Sequence, residues 1–356
     1  MRLGVFLPNW IGDVVMATPA LRAMRKLAGD DGQLVGIMRP YVADVLAGTN
    51  WFDQQIMYDK PPYRLGVAGG EVYRALREAK LDRIILLTNS LSTAWIARRS
   101  GARERYGYAG QGRSWFLTKC FEHPSREGRP LPTIDAYRHL AEASGCAPTS
   151  PIMELATTPA DEAAADAAWE KLRLPPGDRV VVLNSGGAYG AAKQWPNEHF
   201  ADLARRIVTA GPHSVLVNCG PAERDIALAI VAKADDPRVV SLAEIEQLPL
   251  GLSKACLRRS RLVVTTDSGP RFFGIAFQRP VVTLFGPTSP LSTATHYDAE
   301  RCVSLSLDCQ PCMERDCPLV HHRCMQDLSV DRVYREVEQI LSTVKWAPPS
   351  KSLALS

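Results

Sequence analysis

Residues 261–290 read RLVVTTDSGPRFFGIAFQRPVVTLFGPTSP. Leu262 to Thr265 is a short apolar run, the pattern of a buried strand. Thr266-Asp267-Ser268-Gly269 is a polar turn, and Pro270 suits the opening of a helix. A second apolar run, Pro280 to Phe285, ends in Gly286-Pro287-Thr288. The stretch is therefore a strand–helix–strand unit whose polar residues gather where the strands end. In open α/β sheets ligands bind at that carboxyl edge. Ser268 and Gly269 fall where a helix start offers unbonded N–H groups, which attract phosphate. Asp and Ser also cap helices that bind nothing. The second polar turn, FGPTSP, supplies the other loop that a phosphate site needs.

The remainder of the chain is read for what it adds to this unit. With 356 residues, 46% hydrophobic and 22% charged, it has globular composition and room for about two domains. A net charge of +4 gives no reason to expect a nucleic-acid partner. No apolar run is long enough to span a bilayer. The sequence opens directly on a strand, MRLGVF, without a charged leader, so a cytoplasmic location is expected.

Arg2–Leu7 is a strand, followed by the loop Pro8-Asn9-Trp10-Ile11-Gly12-Asp13 and a helical stretch from Val14 to Leu27. No G-x-G-x-x-G follows this strand, so the dinucleotide fingerprint is absent. One glycine and one carboxylate stand there instead. Gly12 permits a close backbone approach, and Asp13 sits at a helix start, as a cap or a base. Further strands are expected at 34–38, 55–58 and 83–87, the last ending in Thr88-Asn89-Ser90. A helix over 92–99 carries Arg98 and Arg99, and Arg103, Arg105, Arg113 and Lys119 follow. This basic run is either a solvated face or a grip on an acidic acceptor.

Pro175-Pro176-Gly177-Asp178 reads as a linker, with domains at 1–174 and 175–330 and a final helix over 331–346. Residues 184–196, NSGGAYGAAKQWP, form a glycine-rich loop after a strand. Its N–H groups can converge on an anion beside Lys193. The G-K-[ST] of a nucleotide triphosphatase loop is missing. Glu223 follows the next strand, placed to bind a ribose hydroxyl or to cap a helix. Near the end, Cys309, Cys312, Cys317 and Cys324, with His321 and His322 between the last two, could hold a structural zinc or an iron–sulfur cluster, or remain reduced thiols in a compact loop.

Three motifs in order, NWIGDVVMATPAL, AKQWP and TDSGP…PVVTLFGPTSP, resemble the lipopolysaccharide heptosyltransferases of glycosyltransferase family 9 over nearly the whole chain. The Gly187-Ala188-Tyr189-Gly190…Lys193 form is more similar to the heptosyltransferase II branch than to I. The resemblance implies a GT-B fold: two Rossmann-like, doubly wound α/β domains facing a cleft, the final helix packing back toward the first domain. It implies a monomer, in contact with the inner face of the inner membrane through a lipid-linked core oligosaccharide acceptor. The donor it implies is ADP-L-glycero-D-manno-heptose; the alternatives are a transferase of the same fold that uses a UDP- or GDP-sugar, and a degenerate member that binds a nucleotide-sugar without transferring it. Asp13 matches the catalytic aspartate of an inverting transfer, which needs one base and no nucleophilic carboxylate. Lys193 matches the lysine on the donor phosphates. Asp267, Ser268 and Gly269 match the diphosphate loop, with Gly187 beside it, and Glu223 matches the ribose-binding glutamate loosely. Asn9, Gly12, Asn89, Arg98 and Arg99 would meet the acceptor. No cofactor is required, because the lysine and a helix dipole can offset the leaving charge. Family members often carry His three residues after the D-S-G glycine; here Phe272 stands there and offers the diphosphate no hydrogen bond.

Overall fold

The structure, a computed structural model, describes residues 1–58, 68–125, 130–187 and 190–348. Ala188 and Tyr189 of the glycine-rich loop lie outside the described residues. The chain divides into two compact units: Met1–Leu155 with Leu291–His296, and Ala156–Pro290 with the chain from Tyr297 on.

The first unit runs β1 (Arg2–Phe6), α1 (Ile11–Met16), α2 (Thr18–Ala28), β2 (Gln33–Met38), α3 (Pro40–Leu46), β3 (Gln54–Met57), α4 (Ala68–Glu78), β4 (Arg83–Leu86), α5 (Leu91–Arg99), β5 (Glu104–Tyr108), β6 (Lys119–Phe121) and α6 (Thr133–Ala143). Its sheet has the order β3-β2-β1-β4-β5-β6, every neighbouring pair parallel. The helix expected over Val14–Leu27 is two helices. Pro19 has no N–H to continue the first ladder, and Thr18 Oγ1 donates to Val15 O (2.8 Å) at the break.

The second unit runs α7 (Pro159–Lys171), β7 (Val180–Asn184), α8 (Asn197–Ala210), β8 (Ser214–Asn218), α9 (Arg224–Ala234), β9 (Val239–Ser241), α10 (Leu250–Arg259), β10 (Leu262–Thr266), α11 (Gly269–Ala276), β11 (Val281–Phe285), β12 (Glu300–Ser304), α12 (Arg323–Gln326) and α13 (Val330–Thr343). Its sheet order, β12-β11-β10-β7-β8-β9, repeats the first unit's topology. Both are doubly wound, with the strand order reversing between β1 and β4 and between β7 and β10. That reversal opens a crevice at the carboxyl edge. The central strands β7, β8, β10 and β11 are buried along their whole length, as parallel strands covered on both faces must be.

One sequence expectation changes here. The break falls at Leu155/Ala156, not beside Pro175, because α7 packs on α10. Glu162 accepts from Arg258 (2.9 Å) and Arg259 (2.6 Å), and Asp166 from Arg259 (2.6 Å). The final helix α13 packs within the second unit. Val333, Val337 and Ile340 bury its apolar stripe, Trp195 Nε1 donates to Leu328 O (2.8 Å), and Arg261 donates to Leu341 O (3.2 Å). Among the described residues no helix is long and apolar enough to cross a membrane.

Candidate active site

In the second unit, the loops after β7, β8, β10 and β11 meet at the crevice edge. Polar residues at the strand ends tie them together. Asn184 Nδ2 donates to Gly186 O (2.9 Å) and lies 3.4 Å from Ser268 Oγ; Asn218 Nδ2 donates to Asn184 Oδ1 (2.8 Å), and Ser253 Oγ to Asn218 Oδ1 (2.8 Å). A Cβ on Gly187 would stand 3.1 Å from Ser268 Cβ, so glycine lets the two phosphate-type loops touch. Glu223 Oε2 accepts from Gly220 N (2.8 Å), and its carboxylate fills the space a Cβ on Gly186 would need. Gly187, Glu223, Ser268 and Gly269 are thus brought to one edge. Ser185 Oγ is buried there without a hydrogen-bond partner among the described residues.

Beneath these loops lies a chain of alternating charges. Lys193 Nζ donates to Asp267 O (2.7 Å) and pairs with Asp267 Oδ2 (2.8 Å). Arg271 pairs with Asp267 Oδ1 (2.9 Å) through one nitrogen and with Glu300 Oε1 (2.6 Å) through another. Thr288 Oγ1 donates to Asp267 and Thr283 Oγ1 to Glu300. Arg271 has no exposed surface, and Phe272 and Phe285 lie against its guanidinium, 4.8 and 4.9 Å from their ring centres. Burial by itself would raise the Asp267 carboxyl; Arg271 and Lys193 outweigh it and hold Asp267 below the usual carboxylate range. Burial would likewise lower Arg271, and Glu300 and Asp267 reverse that, so it stays charged. Asp267 therefore faces inward and is neutralised, leaving the N–H groups at the start of α11 to face an anion. Lys193, expected beside an anion, is held by Asp267. Arg271 and Glu300 escaped the sequence reading, although a lone arginine in the apolar helix GPRFFGIA implied a buried partner.

The cysteine loop packs on the same unit. Gln310 Nε2 donates to Phe285 O (3.2 Å) and Gly286 O (2.7 Å), Met313 N to Pro287 O (2.8 Å), and Ala192 N to Arg315 O (3.0 Å). The Cys324 thiol is pushed up by burial and then by the nearby Cys312, Cys317 and Cys309. The Cys317 sulfur lies 4.0 Å from His321 Nδ1 and accepts from His322 N. Among the described residues no group of three or more His, Cys, Asp or Glu is arranged to hold a metal ion. The loop's contacts make it a support for the two loops it touches.

In the first unit, Asp13 is the third residue of α1 and partly exposed, and Gly12 precedes it. Tyr137 on α6 is buried; its hydroxyl is raised well above the ordinary value by burial and then by the Asp13 charge, so it stays protonated near that carboxylate. Asn9 is exposed, with Tyr58 Oη donating to its Oδ1 (3.4 Å) and Tyr41 Oη to its carbonyl. Burial pushes the Tyr58 hydroxyl up to about 12, against the pull of Arg39, so it remains a donor. Asn89 is exposed in the turn between β4 and α5. These residues share the carboxyl edge. Arg98 and Arg99 do not: α5 runs back along the sheet, and they occupy its last turn, at the opposite edge. Arg105 and Arg113 are buried, donating to the carbonyls of Ala102 and Phe116 and of Tyr108 and Ala109. The basic run therefore does not form a grip beside Asp13.

The sequence model of glycosyltransferase family 9 (heptosyltransferase) matches residues 70–322. The chain is 25% identical to lipooligosaccharide heptosyltransferase 2 of Campylobacter jejuni, over 96% of this chain and 99% of that one. It is also 25% identical to lipopolysaccharide heptosyltransferase 2 of Escherichia coli, with the same two coverages. Among solved structures it superposes on the E. coli ADP-heptose lipopolysaccharide heptosyltransferase II with a TM-score of 0.76 and 21% identity, covering 96% and 98% of the two chains. A family 9 glycosyltransferase from Veillonella parvula gives 0.80 and 22%, covering 96% and 97%. These superpositions place the paired doubly wound sheets among GT-B enzymes.

Proposed function

Because the chain belongs to glycosyltransferase family 9 (heptosyltransferase), we propose that it moves L-glycero-D-manno-heptose from ADP-heptose to a lipid-linked inner-core oligosaccharide of lipopolysaccharide, with inversion. The acceptor hydroxyl oxygen attacks the anomeric carbon, the bond from that carbon to the diphosphate breaks, Asp13 takes the hydroxyl proton, and ADP leaves. Asn9, Gly12 and Asn89 share the edge with Asp13 and would contact the acceptor. On the donor side, the N–H groups at Ser268 and Gly269 and the ammonium of Lys193 would stabilise charge growing on the leaving diphosphate. Glu223 would take the ribose, and Gly187 allows the phosphates to approach the backbone.

The observation that carries this reading is the buried charge chain Lys193–Asp267–Arg271–Glu300. It neutralises Asp267, the carboxylate under the start of α11, which would otherwise repel a diphosphate. Among the described residues the Ser185 hydroxyl at the same edge has no hydrogen-bond partner, which leaves a polar group for a ligand to satisfy. Phe272 is buried against Arg271, so this site would hold the diphosphate without a side-chain bond from that position.

Calorimetric titration of ADP, UDP and GDP, with and without Lys193→Ala, tests the donor. Selective ADP binding that the substitution weakens is expected; preference for UDP or GDP would keep the fold and change the donor. The base is tested separately. General-base catalysis contributes about 10²–10⁴-fold, so Asp13→Asn should cut turnover by that order while ADP binding persists. A wild-type rate in Asp13→Asn would remove Asp13 from the mechanism.

A further inference from the structure

The basic run has no part in the site, yet it borders an unusual surface. On α5, Leu91 and Trp95 are 48% and 42% exposed, and Arg98 and Arg99 are exposed beyond them. Spacings of four and three or four residues put all of these on one helical face. Beside it, the 3₁₀ turn Arg113–Phe116 holds Trp115 out in solvent at 89% exposure. The turn is fixed to α5. Phe116 meets the Trp95 ring edge-on with centres 5.2 Å apart, and a Cβ on Gly112 would lie 3.9 Å from Leu91 Cδ1. Arg105 and Arg113 clamp the backbone beneath through their carbonyl bonds. Trp115 is thus displayed from a rigid base.

The charge around it has one sign. From Leu91 to Cys120 the sequence holds Arg98, Arg99, Arg103, Arg105, Arg113 and Lys119 against a single acid, Glu104. Glu104 is itself paired with Arg83 (2.6 Å). Arg98, Arg99, Arg103 and Lys119 are the exposed ones. An exposed indole beside arginine matches the interfacial zone of a membrane, where tryptophan sits at headgroup depth. Anionic headgroups attract such basic residues. A protein partner with an acidic rim would share the charge, but an indole held out in solvent suits a lipid headgroup layer.

We propose that this face, Leu91, Trp95 and Trp115 with Arg98 and Arg99, docks the chain on a membrane surface that carries anionic phospholipid. The face starts at the carboxyl edge of the sheet that bears Asp13, since Leu91 opens α5 there. Docking would bring that edge to a lipid-linked acceptor; this last link rests on the proposed function, whereas the docking itself does not.

The test uses the full chain with vesicles of phosphatidylcholine alone and of phosphatidylcholine mixed with phosphatidylglycerol. Cosedimentation is expected with the anionic vesicles only, weakening as salt rises. Brominated lipid should quench tryptophan fluorescence, and Trp115→Ala should remove part of that quenching. Headgroup attraction of about 1 kcal/mol per basic residue corresponds to about fivefold each, so Arg98→Glu with Arg99→Glu should lower partitioning more than about tenfold. Arg205→Glu, on the surface of α8, should leave it unchanged. Trp115→Ala should keep wild-type ADP binding, which shows that the variant is folded, and wild-type turnover on an acceptor stripped of lipid. Equal binding to both vesicle types, no binding, or wild-type partitioning by the variants would overturn the proposal. So would a light-scattering dimer that Trp115→Ala dissociates without any vesicle binding, which would make the face a contact between copies. Nucleotide selectivity is read independently, so loss of the donor reading would leave the vesicle result standing.

Discussion

Arg271 is the residue on which the proposed donor edge depends, although no ligand need touch it. Its guanidinium is fully buried and bridges Asp267 and Glu300, while Lys193 holds the far oxygen of Asp267. Two buried carboxylates are tolerable only with that cation between them. A buried ion pair adds little net stability over an apolar replacement, but removing one partner strands the other and costs about 3–5 kcal/mol. Arg271→Met should therefore destabilise the second unit by that amount, read as a fall in its urea midpoint, and should weaken nucleotide binding as Asp267 loses its neutraliser. Arg271→Lys should recover only part of both, because a single ammonium cannot bridge two carboxylates in the planar geometry of guanidinium. An Arg271→Met protein with a wild-type midpoint and wild-type ADP affinity would show that the chain of charges is not needed. The same geometry explains Phe272: its ring packs on the guanidinium, so an apolar residue there supports Arg271.

At the scale of elements, what could be read from the sequence were units whose pattern is local. The strand–turn–helix–strand from Leu262 to Phe285 was legible because buried parallel strands are continuous apolar runs and Pro270 and Gly286 mark their ends. Asp13, Ser268, Gly269 and Glu223 were legible as residues at the ends of such strands, since topology alone delivers each to the carboxyl edge of its own sheet. Elements held by distant contacts were not. β6 and β12 carry exposed and charged residues that give no alternation, and they become strands by pairing with β5 and β11. α6 went unseen, and with it Tyr137, the buried neighbour of Asp13. The break beside Pro175 was expected from composition, whereas the unit boundary was decided by ion pairs between α7 and α10. Arg98 and Arg99 were misplaced for a related reason. They are near Asn89 in sequence, but a helix of nine residues at about 1.5 Å each carries them to the other edge of the sheet. The cysteine spacing suggested a ligand set or a compact loop of thiols; it gave no sign that Gln310 and Met313 of that loop would bond the carbonyls of Phe285, Gly286 and Pro287.

The whole molecule repeats one plan: two six-stranded parallel sheets of the same strand order, each with its own buried core. The residues assigned to the donor, Gly187, Lys193, Glu223, Ser268 and Gly269, all belong to the second unit, and Asp13, Asn9 and Asn89 to the first. This separation makes a prediction that activity measurements cannot replace. A ligand that binds only the folded second unit stabilises it by RT ln(1 + [L]/Kd), about 2.7 kcal/mol at a hundredfold excess over Kd. The first unit gains nothing from such binding. Hydrogen exchange followed by mass spectrometry, with and without saturating ADP, should show the greatest added protection at the loop after β7 up to Lys193 and at the start of α11. Slower protection should extend through the core strands β7, β8, β10 and β11, whose amides exchange by opening of the whole unit. Peptides from β1 to α6 should exchange at the same rate in both conditions. Equal added protection in both units would mean that ADP contacts the first unit, or that the two open as one, and either result would remove the assignment of donor binding to the second unit alone.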